Sequence, residues 1–253
     1  KFDTVHGRFN GEVKAEDNKL IVNGKTINVY NEMDPHNIPW GTEGVEYVLE
    51  CSGVFTTLEK AQAHIDAGAK KVIISAPGKD SMPTVVANVN DEIIASEDNI
   101  ISAASCTTNC LAPVVNLIHK NFGVVKGFMT TVHAMTNDQE TLDIPHKKGI
   151  LARRGRAASL NIIPTSTGAA SQIGKVIPHL KGKMDGVAFR VPVGDGSVVD
   201  ITLELSKPVT KEMINNMLKS KQSKSLKYTE DPIVSSDILG EETGAMVDGL
   251  LTN

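Results

Sequence analysis

The sequence predicts an α/β unit built on a parallel sheet, followed by an α+β unit whose sheet is mostly antiparallel. Near-continuous apolar runs at Val45–Cys51 and Lys71–Ser75 flank a helical stretch, as in a sheet of parallel strands. The runs at Val187–Val193 and Val198–Leu205 alternate in part and are joined by a loop, as in an antiparallel sheet. A strand at Asn99–Ser102 hands over to a helix at Cys106, which sets a boundary just before Ser105 and divides the chain into 1–104 and 105–253.

Leu20-Ile21-Val22 and the run from Thr26 to Tyr30 flank Asn23-Gly24, the strongest short-range hairpin signal. Val45–Cys51 is a strand that stops at Ser52-Gly53. Thr56 with Glu59 makes a capping-box pattern, opening a helix with Leu58, Ala61 and Ile65 on one face, and Gly68 ends it. Lys71–Ser75 completes a βαβ unit of the doubly wound, Rossmann type, its apolar runs suited to a sheet buried on both faces. Ligands of such sheets bind beyond the C-terminal strand ends, where Ser52-Gly53-Val54-Phe55 and Ser75-Ala76-Pro77 fall. Ordinary turn chemistry explains the same residues. No G-x-G-x-x-G occurs, so a first strand, a phosphate loop and a ribose-selecting acid are expected outside these residues. Lys1-Phe2-Asp3-Thr4 reads as the interior of a longer protein.

The helix from Cys106 carries Leu111, Val114, Val115 and Ile118 on its apolar side, and Pro113 either kinks it or marks where regular helix begins. Val124 to Val132 is a strand, and helices are expected near Ala169–Leu180 and Lys211–Leu218.

A formal charge of −4 gives no electrostatic reason to expect nucleic acid or an anionic membrane as partner. Three cysteines, Cys51, Cys106 and Cys110, argue for free thiols in a reducing compartment rather than a disulfide framework. No apolar run reaches membrane-spanning length and no signal-peptide pattern opens the chain, so the expected location is cytoplasmic.

Ala104-Ser105-Cys106-Thr107-Thr108-Asn109-Cys110 places a thiol at a helix N-terminus, where unpaired N–H groups and the dipole favour the thiolate. The hydroxyls of Ser105, Thr107 and Thr108 suit a site that also holds an anion. A buried small hydrophobe is the plainer reading of such a cysteine. A reactive thiol needs a proton acceptor, and His133 in Thr130-Thr131-Val132-His133 ends a strand; spacing alone does not bring it to Cys106.

The ordered set of Ala-Ser-Cys-Thr-Thr-Asn-Cys at 104–110, Thr-Thr-Val-His at 130–133, Pro-Thr-Ser-Thr-Gly-Ala-Ala at 164–170 and Phe-Arg-Val-Pro-Val at 189–193 resembles the phosphorylating glyceraldehyde-3-phosphate dehydrogenase family. Ser52–Thr56, Asn137-Asp138-Gln139 and Pro232–Asp237 extend the resemblance over nearly the whole chain, in wording similar to bacterial members. The resemblance implies NAD as cofactor, no metal, and oxidative phosphorylation of glyceraldehyde 3-phosphate to 1,3-bisphosphoglycerate through a thiohemiacetal and a thioester on Cys106, with His133 taking the proton. It implies Thr136 and Arg190 at the substrate phosphate, Ser105, Thr107, Thr167 and Gly168 at the attacking phosphate, and Arg154 bordering both. Ser52, Gly53, Phe55, Ser75 and Ala76 are implied at the cofactor. The basic stretch Met135–Ala158 corresponds to a loop at a subunit interface of a homotetramer, although Gly149-Ile150-Leu151-Ala152 departs from the commoner wording. The family's C-terminal Trp-Tyr-Asp-Asn-Glu segment does not occur, so these residues are expected to be the central piece of a longer protein. Three alternatives remain open: an erythrose-4-phosphate dehydrogenase, a non-catalytic fragment that binds through the basic loop, and a redox-sensing thiol pairing Cys106 with Cys110.

Overall fold

The computed structural model describes residues 1–253. Strands β1 (Phe2–Asp3) and β2 (Gly7–Arg8) form a short antiparallel ladder. Then β3 (Val13–Glu16), β4 (Lys19–Val22) and β5 (Lys25–Asn28) make an antiparallel meander. Its Asn23-Gly24 turn has φ of 49° and 79° at the two central residues, the left-handed pair that a two-residue hairpin requires. The second strand of this hairpin stops at Asn28 instead of Tyr30, because Asn28 pairs with Lys19, where its partner β4 begins; the Tyr30 hydroxyl beyond it donates to Glu43 at 2.7 Å.

Strands β6 (Tyr47–Glu50), β7 (Lys71–Ile74) and β8 (Ile100–Ser102) are all parallel, with helix α1 (Leu58–Asp66) crossing between the first two. Ala61 packs with Val48, Val72, Ile74 and Ile100 in a small core on one face. On the face away from α1, Lys71, Ile73 and Ile101 are half-buried, while on β6 Tyr47 is 63% exposed and Leu49 67%, so among residues 1–253 only β6 departs from the expected burial on both faces. The helix cap is corrected too. Thr57, not Thr56, accepts from Lys60 N–H, and Leu58 N–H is taken by the Asp80 carboxylate from a distant loop.

Helix α2 (Cys106–Phe122) runs through Pro113 and leads directly into the long strand β9 (Val124–His133). After a loop come β10 (Ile163–Ser166), helix α3 (Ala169–Val176), β11 (Met184–Arg190), β12 (Val198–Leu205) and helix α4 (Lys211–Ser220). The sheet order is β10-β11-β9-β12, with only β11 and β9 parallel, so it is mostly antiparallel as the sequence predicts. A small parallel pair, β13 (Lys227–Thr229) and β14 (Met246–Asp248), follows. The helix expected to reach Leu180 stops at Val176, because Pro178 drives Ile177 out of helical backbone; a 3-10 turn takes up Pro178–Leu180. The strand expected at Val187–Val193 begins three residues earlier and ends at Arg190, before Pro192.

The main core joins α2, α3 and this sheet: Leu111, Val115 and Ile118 meet Ile173, Val176, Met129 and Met184. No helix is long and apolar enough to cross a membrane. Leu111 is 1% exposed, and Leu111→Ala is expected to lower stability by about 2–5 kcal/mol in urea unfolding, by lost transfer energy and a residual cavity.

Candidate active site

Cys106 owes its position to one hydroxyl and one unusual backbone angle. Ser102, fully buried at the end of β8, donates to Ala76 O at 2.7 Å and accepts from Gly78 N–H and Ala104 N–H, each at 3.1 Å. Those three bonds use the hydroxyl's whole capacity. Ala104 then takes φ of 59°, a left-handed value uncommon for a residue with a Cβ, and turns the chain from strand into helix. Ser105 caps the helix by accepting from Thr108 N–H at 3.1 Å, which leaves Cys106 as the first helical residue.

His133 arrives from the sheet as the last residue of β9. It stands opposite Arg190, the last residue of the parallel neighbour β11. Its Nε2 lies 3.4 Å from Cys106 Sγ. Arg190 Nη1 lies 2.8 Å from His133 Nδ1 and 2.9 Å from Ala134 O. His133 Nδ1 also lies 2.9 Å from Ala134 O, so Arg190 and that carbonyl together hold one edge of the ring and leave Nε2 to hydrogen-bond the sulfur. That hydrogen bond is the largest influence bringing the Cys106 thiol down to about 7, and Thr107 adds to it against the desolvation of the sulfur. Cys110, one turn along α2, behaves oppositely: burial raises its thiol to about 11. One helix thus carries a reactive and an inert sulfur.

A cleft of about 300 Å³ surrounds the pair. Its wall brings together Ser105, Cys106, Thr107, His133, Arg154, Thr167, Gly168 and Arg190, eight of the nine residues expected at the catalytic and phosphate sites. Thr136 is the exception. It lies outside the wall and its hydroxyl donates to Asp138, because the chain turns into a 3-10 segment at Asn137–Gln139. Sequence reasoning gave no role to Asp138, which pairs with Arg154 and lies 3.8 Å from Arg190. Burial pushes its carboxyl up, but the Thr136 hydroxyl and the two arginine charges outweigh this and hold it below the ordinary value. Arg154 also donates from Nε to the Thr165 hydroxyl at 3.0 Å. Pro77, Thr131, Ala169, Gln172 and Ala188 complete the wall; the first three fall inside runs already singled out but without a role of their own, and the last two lie within two residues of a motif. The buried Arg190 Nε–H and the Thr131 hydroxyl have no partner in the fold and can serve an anion.

Ser52, Gly53 and Phe55 lie beyond the end of β6, and Ser75 and Ala76 beyond β7, apart from the cleft but leading to it through Pro77. Gly53 has φ of 74° and a side chain built there would meet no atom within 4 Å. These strand-end loops therefore offer open room beside the cleft, which fits a dinucleotide.

Residues 105–253 match the family described as glyceraldehyde 3-phosphate dehydrogenase, C-terminal domain, and residues 1–58 match its NAD binding domain. The chain is 53% identical over 252 residues to the glyceraldehyde-3-phosphate dehydrogenase of Clostridium acetobutylicum, covering 100% of this chain and 75% of that protein. The same comparison with the Clostridium pasteurianum protein also gives 53%. Glyceraldehyde-3-phosphate dehydrogenase 1 of Mucor circinelloides is 54% identical over 252 residues, covering 98% of this chain and 74% of that one. With a thiol, an imidazole and two arginines in one cleft beside a parallel-sheet edge, the chain belongs to the glyceraldehyde-3-phosphate dehydrogenase family.

Proposed function

We propose that the chain oxidises glyceraldehyde 3-phosphate to 1,3-bisphosphoglycerate, with Cys106 as nucleophile and His133 as its acid-base partner. The 3.4 Å approach of Sγ to Nε2 inside an arginine-lined cleft carries this reading. The Cys106 thiolate adds to the aldehyde carbon, forming a C–S bond while the carbonyl π electrons move to oxygen. His133 Nε2, having taken the thiol proton, passes it to that oxygen as the C–S bond forms and takes it back as the hydride leaves. Bound NAD supplies the acceptor for the hydride that leaves the same carbon, so a thioester remains on Cys106. An oxygen of inorganic phosphate then attacks the thioester carbon, the C–S bond breaks, and the thiolate is regenerated as a good leaving group.

Arg190 and Arg154 are assigned to the two phosphate groups by charge and fork geometry. Ser105, Thr107, Thr167 and the Gly168 N–H are assigned to the attacking phosphate, because hydroxyls and backbone donors bind an oxyanion without a carboxylate of their own. Thr136 joins the substrate phosphate only by releasing Asp138. The loops at Ser52, Gly53, Phe55, Ser75 and Ala76 are assigned to NAD. The division into a dinucleotide-binding part, 1–104, and a catalytic part, 105–253, belongs to the same reading.

A homotetramer in the cytoplasm is part of it as well. Ile150 is 99% exposed, Leu151 91% and Leu142 80%, all on the loop after β9, and such apolar tips favour a subunit interface. Three free cysteines favour a reducing compartment.

Three outcomes are expected. Peptide-resolved alkylation of Cys106 should rise with pH through about 7, the thiolate being full above that value and lost below it, while Cys110 stays unreacted. In His133→Gln the same transition should move up toward about 8.5, and kcat should fall roughly 10²–10⁴-fold. Second, NADH formation should require phosphate and yield an acyl phosphate in the parent protein, whereas Cys106→Ser should lose at least about 10³-fold; a free-acid product would point to erythrose-4-phosphate chemistry instead. Third, light scattering on Ile150→Asp/Leu151→Asp should report a smaller assembly than the parent.

A further inference from the structure

Behind the loop that follows β6 lies a chain of buried polar groups that the chemistry at Cys106 does not use. Trp40 Nε1–H, which can only donate, reaches His64 Nδ1 at 3.2 Å. His64 therefore accepts on Nδ1 and carries its hydrogen on Nε2. That hydrogen is donated to Glu50 Oε2 at 3.0 Å. The other oxygen, Oε1, accepts from Ser52 N–H at 2.6 Å and from the Ser52 hydroxyl. The Ser52 oxygen accepts in turn from Val54 N–H at 3.1 Å. Phe55 sets its ring edge-on to His64, with centroids 5.6 Å apart at 70°.

Glu50 and His64 are each 5% exposed, and burying a carboxylate and an imidazole is no stronger a source of stability than apolar packing of the same volume. What the polar chain adds is direction. Each group in it accepts or donates in one sense only, and the run ends on the amides of Ser52 and Val54, on either side of Gly53 with its left-handed φ of 74°. Three of the four residues from Ser52 to Phe55 are thereby fixed from below, while Ser52, Gly53 and Val54 keep their outer surfaces exposed.

We propose that Trp40, His64 and Glu50 are positioning residues for NAD, holding the Ser52–Phe55 loop in the shape that receives the dinucleotide. This rests on the reading of that loop as a cofactor site. His64 touches neither the sulfur nor the phosphate cleft, so its removal should be read in cofactor affinity and not in acyl transfer. A His64→Leu protein keeps the bulk and loses the direction; if the loop then spends about a tenth of its time in the receptive shape, the Kd for NAD rises about tenfold. In His64→Gln a carboxamide can accept from Trp40 and donate to Glu50, so affinity should return to within about threefold of the parent.

The experiment measures NAD binding by titration calorimetry, kcat at saturating NAD, KM for glyceraldehyde 3-phosphate, and the rate of Cys106 alkylation. The expected result is weaker NAD binding in His64→Leu, rescue in His64→Gln, and the other three quantities within about twofold of the parent. An unchanged Kd in His64→Leu overturns the proposal, as does equal loss in both variants or a parallel fall in alkylation rate. Should His64→Leu fail to fold, Trp40→Phe deletes only the N–H; a roughly threefold rise in Kd supports the proposal and an unchanged Kd overturns it. Hydrogen exchange of the parent protein tests the underlying reading separately. NAD should slow exchange across Ser52–Phe55, and no slowing would remove the loop as a cofactor site and the proposal with it. Slowing together with an unchanged Kd in His64→Leu would sink the proposal alone.

Discussion

The approach of Cys106 Sγ to His133 Nε2 at 3.4 Å requires a helix N-terminus and a strand C-terminus to arrive at one point. Each arrival has a local cause. Ser102 and the left-handed Ala104 deliver the helix start, and ten residues of β9 running between β11 and β12 deliver the imidazole. The two arrivals are locked together because α2 and the sheet share one core, in which Leu111, Val115, Met129 and Met184 belong to the same cluster. A dense interior transmits displacement, so the sulfur and the ring keep their spacing only while that core keeps its shape.

Electrostatics around the pair follow from the same geometry. Arg190 is buried and Arg154 half-buried, two like charges in one cleft with Asp138 as their shared counter-ion. Arg190 also faces His133 Nδ1 beside the Ala134 carbonyl, and this turns Nε2 toward the sulfur. The guanidinium is thus tied to the thiolate through the imidazole as well as through space.

Much of this was legible in residues close together in sequence. Cys106 at a helix start, the Asn23-Gly24 turn and the parallel βαβ unit each follow from a short run, and the structure agrees with all three. What escaped reading depends on residues far apart. The Asp80 carboxylate, 22 positions away, takes the first amide of α1 and accompanies a cap at Thr57 rather than Thr56. The side chain of Phe55 turns under its loop onto His64, and Thr136 is drawn to Asp138, which is itself held by an arginine 16 positions on. The exposed face of β6 escaped for a different reason, since an apolar run says that a surface can be covered and not whether a helix lies against it.

The parallel register of β9 and β11 sets Arg190 directly across from His133, both at the strand ends. Successive side chains in a strand point to opposite faces, so sliding either strand by a single position would swing its contribution to the far side of the sheet. Imidazole and guanidinium would part company in one event. Catalytic competence is consequently digital with respect to this pairing: a molecule whose strands have slipped has no weakened site to offer, and turnover counts correctly zipped sheets.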